Sequence, residues 1–132
     1  MPKATKKLTD LMLCNYVEFG VSVEPTQQEI RQAIEKGDFE KRGMDEHQDQ
    51  IRDWLLAGSN NGKDVDAVIR LMKEYHTKRV AYLAVTAWPK DDKYPITVNQ
   101  MNQVTAGNHR VRAARYKFGC DPNAEIDVMV PE

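Results

Sequence analysis

Cysteine is almost missing from this chain. Cys14 and Cys120 are the only two, and they share no CxxC or zinc-finger spacing, which argues against a cysteine-clustered metal site and against a disulfide-stapled scaffold. Both are read as free thiols. Long apolar runs are lacking too: stretches such as VAYLAV fall far short of the about 20 residues that a bilayer-spanning helix needs. The opening MPKATKKLTD is not followed by the apolar region of a secretion signal, so the expectation is a soluble, cytoplasmic protein with no membrane partner. Nor does one sign of charge prevail. Nineteen Lys and Arg stand against 20 Asp and Glu, for a net charge of -1, so no global field draws the molecule onto DNA or an anionic surface. Any electrostatic function must be local.

What is present suits one compact domain: 132 residues, 41% of them hydrophobic, can bury a modest core. The first half reads as helical. Thr26 and Glu29 have capping-box spacing ahead of QEIRQAIEKG, with Ile30, Ala33 and Ile34 on one face and Gly37 as the stop. Asp45 with Gln48 is expected to open a second helix, striped by Ile51, Trp54 and Leu55 and closed by Gly58. Asp64 is expected to cap a third, VDAVIRLMKEYH, burying Val65, Val68, Ile69 and Met72. A strand is expected near 10–18.

The second half changes character. RVAYLAVTAW (79–88) is rich in β-branched and aromatic residues and reads as a strand covered on both faces. PKDDKYP reads as a turn, ITVNQMNQVTA as a partner strand, and EIDVMV (125–130) as a strand with Ile126, Val128 and Val130 on one side. Between the last two lies TAGNHRVRAARYKFG (105–119), with Arg110, Arg112, Arg115, Lys117 and His109 but no acidic residue. Val111, Ala114 and Phe118 recur at helical spacing, Asn108 is a good N-cap and Gly119 a stop. Gly107 permits a positive φ or a close approach to the backbone.

A strand, a glycine and a helix that opens with His109 and Arg110 make an anion site in principle. The N–H groups at a helix start, here those of His109, Arg110 and Val111, coincide with the positive end of the macrodipole, and a guanidinium matches phosphate in bidentate fashion. Cations in a first turn oppose the macrodipole, and a bound anion repairs that mismatch.

VTAGNHRVRAARYKFG followed by EIDVMV resembles the signature of the ParB/sulfiredoxin superfamily, in which strand, Gly-x-x-Arg turn, Ala-rich helix and final strand follow in that order. DVDAVIRLMKEYHTKRVAYLAVTA resembles the helix and strand that precede it, so the likeness covers about 64–132. The resemblance implies a nucleotide, ATP or CTP, alone or with Mg²⁺, held by Gly107, Asn108, His109 and Arg110, with Arg112 assisting and Arg115 a weaker candidate. Sulfiredoxin's catalytic cysteine is replaced by Asn108, and an amide cannot act as a thiol nucleophile. Partition proteins of the superfamily continue into a DNA-reading domain, whereas this chain stops at Glu132, so centromere-specific recognition is not expected. The size suits an accessory factor encoded by a phage or plasmid.

Other clusters read as structural. MDEHQDQ (44–50) puts Asp45 and Asp49 on one helix face but not His47, so a solvated first turn is expected and no metal. Trp54 and Trp88 read as core or rim aromatics, His76 as a cation at a helix C-terminus, Asp91 and Asp92 as turn formers. His109 reads as a neutral donor to phosphate, with no catalytic residue assigned.

The expected architecture is α+β: a small mixed sheet carrying a helix over 108–118, forming a ParB/sulfiredoxin-like core over 64–132, with a mainly helical portion over 1–63 in the same domain. The expected function is binding of a nucleotide or polyphosphate at the Gly-Asn-His-Arg turn. Two alternatives stay open: a nuclease-like accessory protein whose arginines grip a DNA backbone weakly and salt-sensitively, and a non-catalytic factor that binds a protein partner through its N-terminal helices.

Overall fold

A computed structural model describes residues 2–86 and 95–131. Its elements run β1 (Lys3–Lys7), a 3-10 turn (Leu8–Asp10), β2 (Val17–Glu18), β3 (Val21–Ser22), α1 (Gln27–Lys36), α2 (Met44–Gly58), α3 (Val65–Val85), β4 (Thr97–Val98), β5 (Val104–Ala106), α4 (Asn108–Phe118) and β6 (Glu125–Met129). The protein is α+β, with a four-stranded mixed sheet and a separate two-stranded one. The chain forms two compact units, Met1–Cys14 with Thr86–Glu132, and Asn15–Val85. The division thus falls elsewhere than at 63/64, and α3 belongs with the other helices. Among the described residues no helix is long and apolar enough to cross a membrane.

The helical unit shows how far local signals carry. Thr26 caps α1: its Oγ1 accepts the Glu29 N–H at 3.1 Å while Glu29 Oε1 accepts the Thr26 N–H at 3.0 Å, and Gly37 closes the helix in the left-handed region at φ 71°. Asp64 Oδ1 accepts the Ala67 N–H at 3.2 Å at the head of α3. α2 departs from expectation. Its N-cap is Gly43, no side chain caps it, Asp45 lies inside the first turn, and the backbone kinks at His47 (φ −128°, ψ 27°). Gly58 is the last residue of α2, and it is small for a spatial reason: a Cβ there would stand 2.5 Å from Leu71 Cδ1.

The strand expected over 79–88 is helix as far as Val85. A run that is apolar on every side fits either period, and Ala81, Leu83 and Ala84, all buried, are strong helix formers. This continuation moves the buried face of α3 onto Ala67, Leu71, Met72, Tyr75, Val80 and Ala81, leaving Val65 exposed and Val68 and Ile69 half-buried. It also places His76 in mid-helix rather than at a C-terminus. His76 is buried, its ring stacked on Tyr16 at 3.8 Å and 4°. Trp54 is half-buried; Trp88, Asp91, Asp92 and most of PKDDKYP lie outside the described residues.

In the other unit the strand order is β1-β6-β4-β5. β6 is central: it runs antiparallel to β1, with Ala4 opposite Val128, and parallel to β4, with Thr97 opposite Met129. Its alternation works as patterned, since Val128 joins a core of Leu8, Leu11, Ile96, Val98, Val104, Val111 and Ala114, against which Ile126 and Val130 also pack. β1 has no sequence signal because KATKK is an edge strand, whose lysines suit solvent and discourage further pairing. The strand expected near 10–18 resolves instead into a 3-10 turn, an irregular segment with one bridge from Met12 to Gln103, and β2. ITVNQMNQVTA is a hairpin, not one strand. Asn99 Oδ1 accepts the N–H groups of Met101 and Gln103 at 2.9 and 3.0 Å, Asn102 takes φ 61°, and β4 turns back as antiparallel β5.

Candidate phosphate site at the Gly107 turn

β5 leads directly into Gly107, which takes φ 94° and ψ 24° as the N-cap of α4. Left-handed backbone is one reason for glycine here, and space is the other. A Cβ on Gly107 would lie 2.8 Å from Ile96 Cγ1, 3.3 Å from Ile96 Cα and 3.2 Å from Arg110 Nη2. The Arg110 guanidinium therefore folds back over the turn instead of extending along the helix.

Asn108 is the first residue of α4 and not its cap, because the glycine has taken that place. Its amide is committed at both ends: Oδ1 accepts the Cys14 N–H at 3.1 Å and Nδ2 donates to the Val104 carbonyl at 3.3 Å. The Val111 N–H, expected at the open end of the helix, donates to the Gly107 carbonyl at 3.0 Å and so belongs to the helix ladder. Asn108, His109 and Arg110 form a half-buried first turn with no acidic residue and no side-chain cap.

The remaining arginines part company with that turn. Arg112 is 6% exposed, donating through Nη1 to the Asn108 carbonyl at 3.3 Å and through Nη2 to the Cys14 carbonyl at 2.5 Å. Arg115 donates through Nη2 to the carbonyls of Leu8 and Leu11, at 3.0 and 2.5 Å. The 3-10 turn and the irregular residues that follow it carry backbone carbonyls that strand pairing does not use, and the two guanidiniums donate to those of Leu8, Leu11 and Cys14. Arg112 sits beside the turn as a brace, where the sequence reading has it assisting at phosphate. Lys117 lies over the Phe118 ring at 5.3 Å, and Phe118, read as part of the apolar stripe, is half exposed.

The geometry joins Gly107, Asn108, His109 and Arg110 in one turn and assigns Arg112 and Arg115 to holding the chain that passes beneath it. Sequence reasoning misses this bracing of Cys14 by Asn108 and Arg112. Cys14 lies 94 and 98 residues away from them, and no local pattern reports a contact of that span. In the acidic cluster of α2, His47 Nε2 lies 3.7 Å from Glu46 Oε2 and Asp49 Oδ1 lies 3.5 Å from Arg52 Nη2, and among the described residues no group of three or more His, Cys, Asp or Glu is arranged to hold a metal ion.

Comparison with protein-family models, with curated proteins and with solved structures finds no match for this chain.

Proposed function

We propose that the Gly107 turn and the first turn of α4 bind the phosphates of a nucleotide, ATP or CTP, or of a related polyphosphate. One observation carries the reading: a helix start with no side-chain cap and no acid carries instead a guanidinium folded over a left-handed glycine. Positive charge at the positive end of a macrodipole is unfavourable by itself and becomes favourable around an anion. In this reading Gly107 lets a phosphate approach the backbone and Arg110 supplies the charge-assisted contact. His109 donates a hydrogen bond, while Asn108 and Arg112 position the turn by clamping Cys14. The resemblance of VTAGNHRVRAARYKFG to the ParB/sulfiredoxin turn supports the same residues.

The DNA-backbone reading is the weaker one, because it needs a stripe of cations and two of the four are turned onto backbone carbonyls. Calorimetric and thermal-shift titration of the full chain with ATP, CTP and inorganic triphosphate, with and without Mg²⁺, tests the proposal. Stabilisation by one of these, weakened at least about tenfold in Arg110→Ala at unchanged fold, is the expected result, since charge-assisted bonds contribute about 1.5–3 kcal/mol. Binding to short duplex DNA alone, lost steeply with salt and indifferent to nucleotide, would overturn it in favour of the backbone reading. No response to any of these ligands would overturn both.

A further inference from the structure

Asn61 and Gly62 stand side by side in the loop that joins α2 to α3. Of the asparagines in this chain, Asn61 alone is followed by glycine. Both residues are exposed, and both take left-handed backbone, at φ 61° and 80°. The pair matters chemically because asparagine is thermolabile: the backbone nitrogen of the following residue can close a succinimide ring on the side-chain amide carbon, and a glycine there has no Cβ to block the approach. In this loop that nitrogen is occupied. The Gly62 N–H donates to Ser59 Oγ at 2.9 Å, the Ser59 hydroxyl donates to the Leu56 carbonyl at 3.4 Å, and Ser59 is fully buried. The Asn61 N–H donates to the same Leu56 carbonyl at 2.8 Å. Ring closure therefore has to wait for a local opening that frees Gly62 from Ser59.

We infer that Asn61 is a site of spontaneous deamidation and isoaspartate formation, latched by Ser59. In the opened loop hydroxide takes the Gly62 N–H proton and the nitrogen attacks Asn61 Cγ. The bond from Cγ to Nδ2 breaks, the leaving nitrogen takes a proton from water and departs as ammonia, and a succinimide remains. Water then cleaves the ring on either side of its nitrogen, so no oxidant, reductant or cofactor is consumed. Cleavage at Cγ gives aspartate, and cleavage at the Asn61 main-chain carbonyl gives isoaspartate, with an extra methylene in the backbone. The two products differ in what they do to the fold. Aspartate tolerates left-handed backbone and lies shortly before the Asp64 cap of α3, where a carboxylate suits the macrodipole. Isoaspartate lengthens the chain between the N–H groups of Asn61 and Gly62, which bond to Leu56 and Ser59, and the loop cannot keep both bonds.

The test ages the full chain at mildly alkaline pH and follows every asparagine by peptide mapping with electron-transfer fragmentation, which tells aspartate from isoaspartate. Asn61 should convert severalfold faster than Asn99 and Asn108, whose side chains are engaged in hydrogen bonds. Tm should fall in proportion to the isoaspartate formed, while Asn61→Asp, which keeps the ordinary backbone, should hold the parent Tm. Ser59→Ala frees the Gly62 N–H and should quicken conversion about fivefold, the equivalent of one neutral hydrogen bond. If that variant fails to fold, the parent chain in urea gives the same comparison, since unfolding also frees Gly62. Conversion at Asn61 no faster than at Asn99 and Asn108 would overturn the site, and equal rates in the folded parent and in the freed chain would overturn the latch. An aged chain rich in isoaspartate that keeps the parent Tm would overturn the damage assigned to the loop.

Discussion

The side-chain amide of Asn108 joins Cys14 to Val104, accepting the N–H of one at 3.1 Å and donating to the carbonyl of the other at 3.3 Å. One residue at the head of α4 thereby holds strand β5 on one side and the irregular segment ending at Cys14 on the other. Removal of the amide leaves two backbone groups short of a partner, and Asn108→Ala is expected to lower stability by about 1–3 kcal/mol, read as a shift in urea midpoint at constant m. Asn108→Asp keeps the acceptor and puts a carboxylate at a helix start, which the macrodipole favours. It should lose less stability than Asn108→Ala and yet repel phosphate, so the two variants separate bracing from ligand binding.

Arg112 and Cys14 make the second clasp on the same segment. Arg112→Ala removes a buried guanidinium that donates to two backbone carbonyls and should cost about 2–3 kcal/mol, in the range for bonds to charged groups. Arg112→Lys restores the charge but not the fork that reaches both Asn108 and Cys14, so it should recover only part of the loss. Denaturant unfolding of the three proteins checks the order.

Gly107 and Gly37 both occupy left-handed backbone, at φ 94° and 71°, but only Gly107 is crowded. An alanine at 37 meets nothing within 4 Å, whereas at 107 it meets Ile96. Gly37→Ala should therefore cost about 1–2 kcal/mol for conformation alone, and Gly107→Ala about 1–3 kcal/mol more for overpacking. Equal losses in thermal unfolding would show that the Ile96 contact relaxes freely.

Burial pushes the Tyr75 hydroxyl up to about 12; Arg79 opposes the shift and Glu40 reinforces it. The hydroxyl donates to the Arg42 carbonyl at 2.9 Å. The unfolded chain loses this proton near pH ~10, and the folded chain keeps it longer. The contribution is thus complete below that pH and drains away as pH rises towards the folded value. Tyr75→Phe should cost about 1 kcal/mol at neutral pH for the lost hydrogen bond and show a shallower alkaline fall. Stability measured from pH 8 to 12 in both proteins gives the difference.

Features whose partners lie within a few residues were legible from the letters. The Thr26–Glu29 box, the Gly37 stop, the Asp64 cap, the 108–118 helix and the alternation of 125–130 are all satisfied locally. So was the strand, glycine, helix order that defines the candidate phosphate turn. The continuous apolar run ending at Val85 was not, because with no polar face it fits strand and helix alike.

Sequence by itself determined where α1 and α3 begin and where the positive charge gathers, since caps and turn residues act over one turn of backbone. Tertiary structure alone decided what that charge does. Arg110 curls over Gly107, while Arg112 and Arg115 turn inward to carbonyls roughly a hundred residues away. The physical reason is that a buried guanidinium needs acceptors, and which backbone oxygens pass beneath α4 depends on how residues 8–14 cross the sheet.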